Sequence, residues 1–165
     1  MNWIDIIAII ILILSFFGGL KEGAVKNFFS LVALIIAIPC AGLIYRLIAG
    51  LFSFLPGMNW ENLIAFFIAM GIISVVLHII FLLPRGIIRK IWGKGVLYRL
   101  LGAVMNVLSA SIGMVVLALV LRTYPIISWL EGAVSDSAVL TSLTDMFGFV
   151  QALLPGVFHV AVPLV

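Results

Sequence analysis

The sequence predicts an all-α integral membrane protein, a bundle of four transmembrane helices followed by a C-terminal amphipathic helix. Of the 165 residues, 65% are hydrophobic and only 9% are charged, whereas a soluble domain has about 45–50% apolar and about 25% charged residues. The chain therefore has too little polar surface to cover a globule in water. In addition, four apolar runs are each long enough to cross the hydrocarbon layer of a membrane, which takes about 20 residues of helix.

The four predicted spans differ in how they begin and end. The first, residues 3–20, has no basic residue before it, so it is predicted to be a retained span and not a cleaved signal peptide. The second, residues 27–52, contains Pro39, which should kink the helix because it removes a backbone hydrogen bond. The third and fourth are predicted at residues 62–83 and 100–121.

Basic residues are concentrated in the first and third connections between spans. Seven of the nine lie there: Lys21, Lys26, Arg85, Arg89, Lys90, Lys94 and Arg99. Cytoplasmic loops of membrane proteins carry an excess of Lys and Arg, so these two connections are predicted to be cytoplasmic and both termini extracytoplasmic. The last five, from Arg85 onward, lie in a segment that alternates basic with large apolar residues, and they are predicted to contact lipid headgroups.

The chain changes character after Arg122, which suggests a division into a bundle of residues 1–122 and an extracytoplasmic segment of residues 123–165. Apolar residues recur there at helical spacing, at Val139, Leu143, Met146, Phe147, Val150, Leu153 and Leu154. This pattern predicts one amphipathic helix, capped by Ser135 or Asp136, that lies on the outer leaflet or packs over the mouth of the bundle.

Each predicted span carries small or polar residues along one side. Transmembrane helices associate through close packing of small residues and through shared hydrogen bonds, so these stripes are predicted to be packing faces. They are Asp5, Ala8, Ser15 and Gly19 in the first span, Ala33, Ala37 and Ala41 in the second, Gly71, Ser74 and His78 in the third, and Gly102, Asn106, Ser109 and Gly113 in the fourth.

Three of these residues lie at one depth, about 10 Å inside the cytoplasmic edge at 1.5 Å per helical residue. Ser15, His78 and Asn106 are therefore predicted to form a polar layer that faces Ala33 inside the bundle. Two interpretations follow. The favoured one is that the three groups satisfy one another's hydrogen bonds between helices. The other is a relay for a proton or solute, because ionisable groups inside membranes are candidates for function.

Asp5 stands at the beginning of the first span. Its carboxylate can accept backbone N–H groups at a helix N-terminus, and it lies where water is available, so it is predicted to be a helix cap rather than a working acid.

No motif for catalysis, cofactor binding or metal binding is found. His78 and His159 are separated by a whole span, Cys40 is the only cysteine, and "GGLKEG" lacks the Lys-Ser/Thr ending of a phosphate-binding loop. The sequence predicts that the protein is not an enzyme and binds neither a cofactor nor nucleic acid. Membrane lipid is the expected partner of the basic segment from Arg85 onward.

The opening "NWIDIIAIIILILSFFGGLKEGAVKNFFSLVALIIA" resembles that of the colicin V production protein family. Its members begin with a Trp-Ile-Asp-like start and an apolar run, followed by a Gly-x-x-x-Gly pair around a basic residue, here Gly19, Lys21 and Gly23. A second similarity is "YRLLGAV", at residues 98–104. The family often has an acid or amide where this chain has Tyr98, and a glycine where it has Asn106. The resemblance extends over residues 1–121.

This resemblance implies a bacterial inner-membrane protein of about four spans, associated with production or export of a peptide toxin and with envelope physiology. It implies no reaction. The predicted function is therefore a non-enzymatic protein that acts through other membrane or envelope proteins. The alternative is a small transporter or channel lined by the Ser15, His78 and Asn106 layer, which would need a homo-oligomer because four short spans alone make a poor pore.

Overall fold

The computed structural model describes residues 2–52, 60–91, 95–123 and 128–154, apart from the side chains of residues 52, 60, 61, 89–91, 128 and 131. All regular structure in these ranges is helical. In chain order the helices are α1 (Trp3–Glu22), α2 (Ala24–Ala49), α3 (Trp60–Ile80), α4 (Leu82–Ile91), α5 (Val96–Thr123), α6 (Ser128–Ser135), α7 (Ala138–Met146) and α8 (Phe149–Leu153), and a 3-10 turn (Gly50–Phe52) follows α2.

The prediction of an all-α membrane bundle is confirmed, because α1, α2, α3 and α5 are each long and apolar enough to cross a membrane. Large apolar side chains cover the outside of these helices, as at Leu14, Leu43 and Ile79. In a membrane such side chains face lipid, whereas the backbone polar groups are satisfied inside each helix. The second helix continues through Pro39 without interruption.

The helix α5 lies at the centre of the bundle. On one side it packs against α2, and α3 covers the far side of α2. On another side it packs against α1 along most of its length. Two apolar clusters result: one joins α2, α3, α5 and α8, and the other joins α1, α5, α6 and α7. Every other span is therefore positioned directly or indirectly by α5.

The packing face of α3 differs from the predicted one. Ala65, Phe66 and Ala69 are buried against α2, whereas Gly71 and His78 are exposed. At about 100° per residue, position 71 lies on the opposite side of a helix from position 69. Alanines four residues apart thus supply the close contact, whereas a Cβ at Gly71 would meet nothing within 4 Å.

Within residues 128–154, the chain after the last span forms three short helices instead of the single amphipathic helix predicted. Ser137 is the N-cap of α7, not Ser135 or Asp136, and its hydroxyl accepts the N–H of Leu140 at 3.2 Å. The apolar faces of α6, α7 and α8 pack against α5, and α7 also contacts α1. This segment therefore covers one end of the bundle and completes both apolar clusters.

The basic connection before α5 lies a few residues earlier in the chain than predicted. The third span ends at Ile80 instead of residue 83, and the fourth begins at Val96 instead of residue 100. The amphipathic segment between them is the helix α4. The ends of α1 and α3, the beginnings of α2 and α5, and α4 lie together at one end of the molecule. We call this end the basic end, and the opposite end, covered by α6 to α8, the capped end.

Candidate functional site

Two helices approach each other closely near the basic end, where glycines of α1 and α5 meet. A Cβ atom on Gly19 would lie 2.5 Å from the Cα of Ala103 and 2.5 Å from the carbonyl oxygen of Gly102. A Cβ on Gly102 would lie 2.5 Å from the carbonyl carbon of Gly23 and 2.6 Å from the carbonyl oxygen of Gly19. Both positions therefore require glycine, since backbone atoms occupy the space that a side chain needs.

Gly23 alone connects α1 to α2, and it is held by Tyr98 of α5. Its φ of 80° with ψ of 169° is a conformation that L-residues with a side chain avoid. A Cβ there would also lie 2.1 Å from Cε1 of the Tyr98 ring. The Tyr98 hydroxyl accepts the N–H of Val25 at 3.4 Å, one of the unpaired donors at the start of α2.

Two asparagine side chains satisfy backbone carbonyls beside this glycine contact. The buried Asn27 amide donates to the carbonyl oxygen of Gly23 at 2.9 Å and to that of Gly19 at 3.4 Å. The Asn106 amide of α5 donates to the carbonyl oxygen of Ser15 at 2.7 Å. A buried amide that is paired in this way stabilises the junction, whereas an unpaired one would cost free energy.

The predicted polar layer of Ser15, His78 and Asn106 does not form. Asn106 contacts the backbone of Ser15 and not its hydroxyl. His78 lies on the exposed side of α3 and pairs instead with Arg85. The prediction rested on the equal depth of the three residues in the membrane. It did not take account of the direction in which His78 points from α3, which is toward Arg85.

Arg85 of α4 is a buried cation at the basic end, with 8% of its surface exposed. Its Nη1 donates to Nδ1 of His78 at 3.1 Å, and its guanidinium lies 5.9 Å from the centre of the Phe29 ring. Burial lowers the pKa of Arg85, and the nearby Glu22 carboxylate opposes this effect. Arginine remains charged throughout the physiological range.

The other predicted lipid-contacting cations fall into two groups. Arg99 is exposed and lies beside Lys21 at a cavity of about 510 Å³ at the basic end. The side chains of Arg89 and Lys90, and all of Lys94, lie outside the part of the chain that the structure describes.

The remaining predicted packing residues fall into two groups, those buried between helices and those with open space around them. Ala33, Ala37 and Ala41 are buried in α2. Gly113 is half-buried, and a Cβ there would meet nothing within 4 Å, as at Gly71. Among the described residues, neither Gly71 nor Gly113 therefore marks a close helix contact.

At the capped end, Asp5 is fully buried and joins α1 to the C-terminal helices. Its Oδ2 accepts the backbone N–H of Asn2 at 2.7 Å, which completes a capping box with Asn2 as N-cap. Its Oδ1 accepts the hydroxyl of Ser137 at 2.6 Å and the N–H of Val139 at 3.1 Å. The Asn2 amide donates to the carbonyl oxygen of Ala133 at 3.1 Å.

Asp5 thus has a role in tertiary structure in addition to the local one predicted for it. Sequence reasoning missed its partner Ser137, as it missed Asn27 and Tyr98. Of these three residues, only Ser137 could have been recognised from the sequence. A serine just before an apolar helical run is a typical N-cap.

Within the described residues, no group of three or more His, Cys, Asp or Glu side chains is arranged to hold a metal ion. The model of the colicin V production protein family matches residues 4–159. The chain belongs to this family. No curated protein and no solved structure matches it.

The family match corrects one expectation from the sequence, that the resemblance ends at residue 121. It continues through α6, α7 and α8. The helices that cover the capped end therefore lie within the part of the chain that matches the family, as do the four apolar spans.

The family context also bears on Tyr98 and Asn106, where this chain departs from the pattern stated above. The Tyr98 hydroxyl accepts a backbone N–H at the start of α2, as a carboxylate or amide oxygen could. Asn106 provides a hydrogen bond between α5 and α1 where a glycine would provide only close approach.

Proposed function

We propose that this colicin V production protein is a non-enzymatic component of the bacterial inner membrane. In this proposal it supports production or export of a peptide toxin of colicin V type, or maintenance of the envelope, through partner proteins. The family match over residues 4–159 is the observation that carries the proposal. The family is not a known enzyme family.

The contacts of the polar groups support a role without catalysis. The side chains of Asp5, Asn27 and Asn106 are all engaged in hydrogen bonds that hold helices together. A catalytic acid, base or nucleophile has to face a substrate. These groups instead have the environment of structural residues.

The capped end offers a surface on which a partner protein could dock. Thr141, Ser142, Asp145 and Met146 are exposed on α7, which is held firmly from below by Asp5 and the apolar cluster of α1 and α5. A rigid helix that presents exposed polar residues and one exposed methionine suits protein recognition.

Orientation in the membrane is part of the proposal. The positive-inside rule places the basic end in the cytoplasm and the capped end, with both termini, outside. Single cysteines can test this in a Cys40→Ser background. Membrane-impermeant maleimide applied to spheroplasts should label Asp145→Cys but not Lys21→Cys, and the reverse labelling would contradict the orientation.

Photo-crosslinking in cells tests the proposed mode of action. A crosslinking amino acid at Asp145 should yield adducts with defined envelope proteins, whereas the same amino acid at Leu14, on the apolar outside of α1, should not. In parallel, a strain that lacks the protein should release less toxin. Normal toxin release and envelope integrity in that strain, together with no adduct from α7, would refute the proposal.

The transporter alternative has less support. It needed Ser15, His78 and Asn106 to line one path, and His78 lies apart from the other two. Purified protein in liposomes that moved solute with a pH dependence altered by His78→Ala would restore this alternative.

A further inference from the structure

A small cavity at the basic end is surrounded by five helices. Its volume is about 290 Å³, and Glu22, Lys26, His78, Arg85 and Tyr98 line it together with apolar groups. These residues belong to the end of α1, the beginning of α2, the end of α3, α4 and the beginning of α5. Each of the four spans therefore contributes at least one residue to the wall of the cavity.

Arg85 lines this cavity, and two of its donors have no partner among the described residues. Its Nη1 is used by His78, but Nε and Nη2 are buried and make no hydrogen bond to any residue that the structure describes. The Nε–H and the adjacent Nη2–H lie on the same edge of a guanidinium group, and this edge binds two oxygens of one carboxylate or phosphate side by side. A buried charge with unused donors is costly unless an acceptor occupies the site.

The charges around the cavity favour an anion with a single negative charge. Glu22 is bound to Lys26 and not to Arg85 by hydrogen bond. Among the described residues that line the cavity, the two cations Lys26 and Arg85 exceed the one carboxylate of Glu22 by one positive charge. A phosphodiester has one negative charge and would balance this excess.

The position of the cavity favours a lipid. Helix α4 directly follows a transmembrane span, and its Leu82, Leu83 and Ile87 are exposed, so this helix lies where headgroups meet acyl chains. The volume is just below the range of about 300–1,000 Å³ typical of sites for drug-sized ligands. It suits a headgroup whose acyl chains remain in the bilayer.

We propose that this cavity binds the phosphodiester headgroup of an anionic membrane lipid through Arg85, whose Nε and Nη2 are the donors left without a partner. A soluble phosphate compound has the same chemistry and is distinguished by the test. The site is separate from the general attraction of a basic loop for anionic lipid, because it depends on one buried arginine.

The test measures thermal unfolding of the purified full chain in a zwitterionic detergent. Phosphatidylglycerol is titrated against phosphatidylcholine with the same acyl chains and against inorganic phosphate. Phosphatidylglycerol should raise the unfolding temperature more than phosphatidylcholine does.

Arg85→Met, which retains apolar bulk, should weaken the apparent affinity for phosphatidylglycerol by about tenfold or more, the effect of losing charge-assisted hydrogen bonds. Without lipid, Arg85→Met should be at least as stable as the wild type, because a buried unpaired charge has been removed.

Arg99→Met is the matched control, since Arg99 is an exposed cation of the same end that does not line this cavity. It should respond to phosphatidylglycerol almost as the wild type does. If Arg85→Met does not fold, Arg85→Lys serves instead, because it retains the charge but lacks the paired donors and should also bind more weakly.

Three results would overturn the proposal. The Arg85 variants could respond to phosphatidylglycerol as the wild type does, or Arg99→Met could lose as much affinity as they do. Inorganic phosphate could also protect the protein as well as the lipid does, in an Arg85-dependent way, and this would assign the site to a soluble phosphate compound.

Discussion

Ser137 donates a 2.6 Å hydrogen bond to the buried carboxylate of Asp5, and this contact joins the first turn of α1 to the beginning of α7, 132 residues later in the chain. Ser137 at the same time caps α7 by accepting the N–H of Leu140. One hydroxyl group therefore connects a helix cap to a tertiary contact. Because α7 also packs against α5, this junction ties the first and last spans to the helices that cover them.

Asp5→Asn should destabilise the protein even though asparagine is a good capping residue. Asp5 accepts from Asn2 on one oxygen and from Ser137 and Val139 on the other. An amide has only one acceptor oxygen, so its NH₂ group would face a donor. We expect a loss of about 1–3 kcal/mol in the free energy of unfolding, the cost of an unsatisfied buried group. Chemical unfolding in detergent measures it.

The control for this prediction is Ser142→Ala, because Ser142 is exposed and bonds only to the carbonyl of Ala138 in its own helix. It should have little effect. Ser137→Ala should destabilise the protein, and in the double variant with Asp5→Asn the two losses should not add, since both remove the same hydrogen bond. Full additivity would contradict a direct contact in the membrane.

Gly102→Ala should disrupt the packing of α1 on α5. The new methyl group would meet the backbone of Gly19 and Gly23 at 2.5–2.8 Å, and backbone atoms cannot move aside as a side chain tip can. Overpacking of this kind costs about 1–3 kcal/mol. Gly71→Ala is the matched control, because a Cβ there meets nothing within 4 Å. The unfolding temperature should fall for Gly102→Ala and stay level for Gly71→Ala; equal losses would argue against the close contact.

Gly23→Ala should be harmful for two separable reasons, the positive φ and the contact with Tyr98. Adding Tyr98→Ala removes the ring but leaves the backbone strain of about 1–3 kcal/mol. The double variant should therefore be more stable than Gly23→Ala with Tyr98 intact, yet less stable than Tyr98→Ala alone. If the double variant and Tyr98→Ala unfold at the same temperature, the backbone at Gly23 is not strained for a residue with a side chain.

Asn106→Ala should weaken the contact between α5 and α1, whereas Ser15→Ala should not. The Asn106 amide donates to the carbonyl oxygen of Ser15, which any residue at position 15 provides. We expect a loss of about 0.6 kcal/mol for Asn106→Ala, the average value of a hydrogen bond between transmembrane helices. Ser109→Ala is a suitable control, since Ser109 bonds to the carbonyl of Met105 in its own helix. An effect of Ser15→Ala as large as that of Asn106→Ala would mean that the serine hydroxyl takes part.

The amino-acid sequence alone determined that this protein belongs in a membrane and where its four spans lie. Transfer of a helix into hydrocarbon depends on the length and composition of one segment, and both can be read locally. The alanines of α2 and the glycines Gly19 and Gly102 were also predicted as packing residues, because small residues at four-residue spacing form a ridge on one helix face.

Only the tertiary structure decided which helix faces meet. In a membrane both lipid and protein neighbours are apolar, so the helical period does not distinguish an outward stripe such as Gly71 from a packed one such as Ala65 and Ala69. The pairing of α1 with α5, the link from Asp5 to Ser137 and the burial of Arg85 each join residues far apart in the chain. The local sequence cannot predict such pairs, because the interaction between the two residues contributes to stability only when helices from distant segments come into contact.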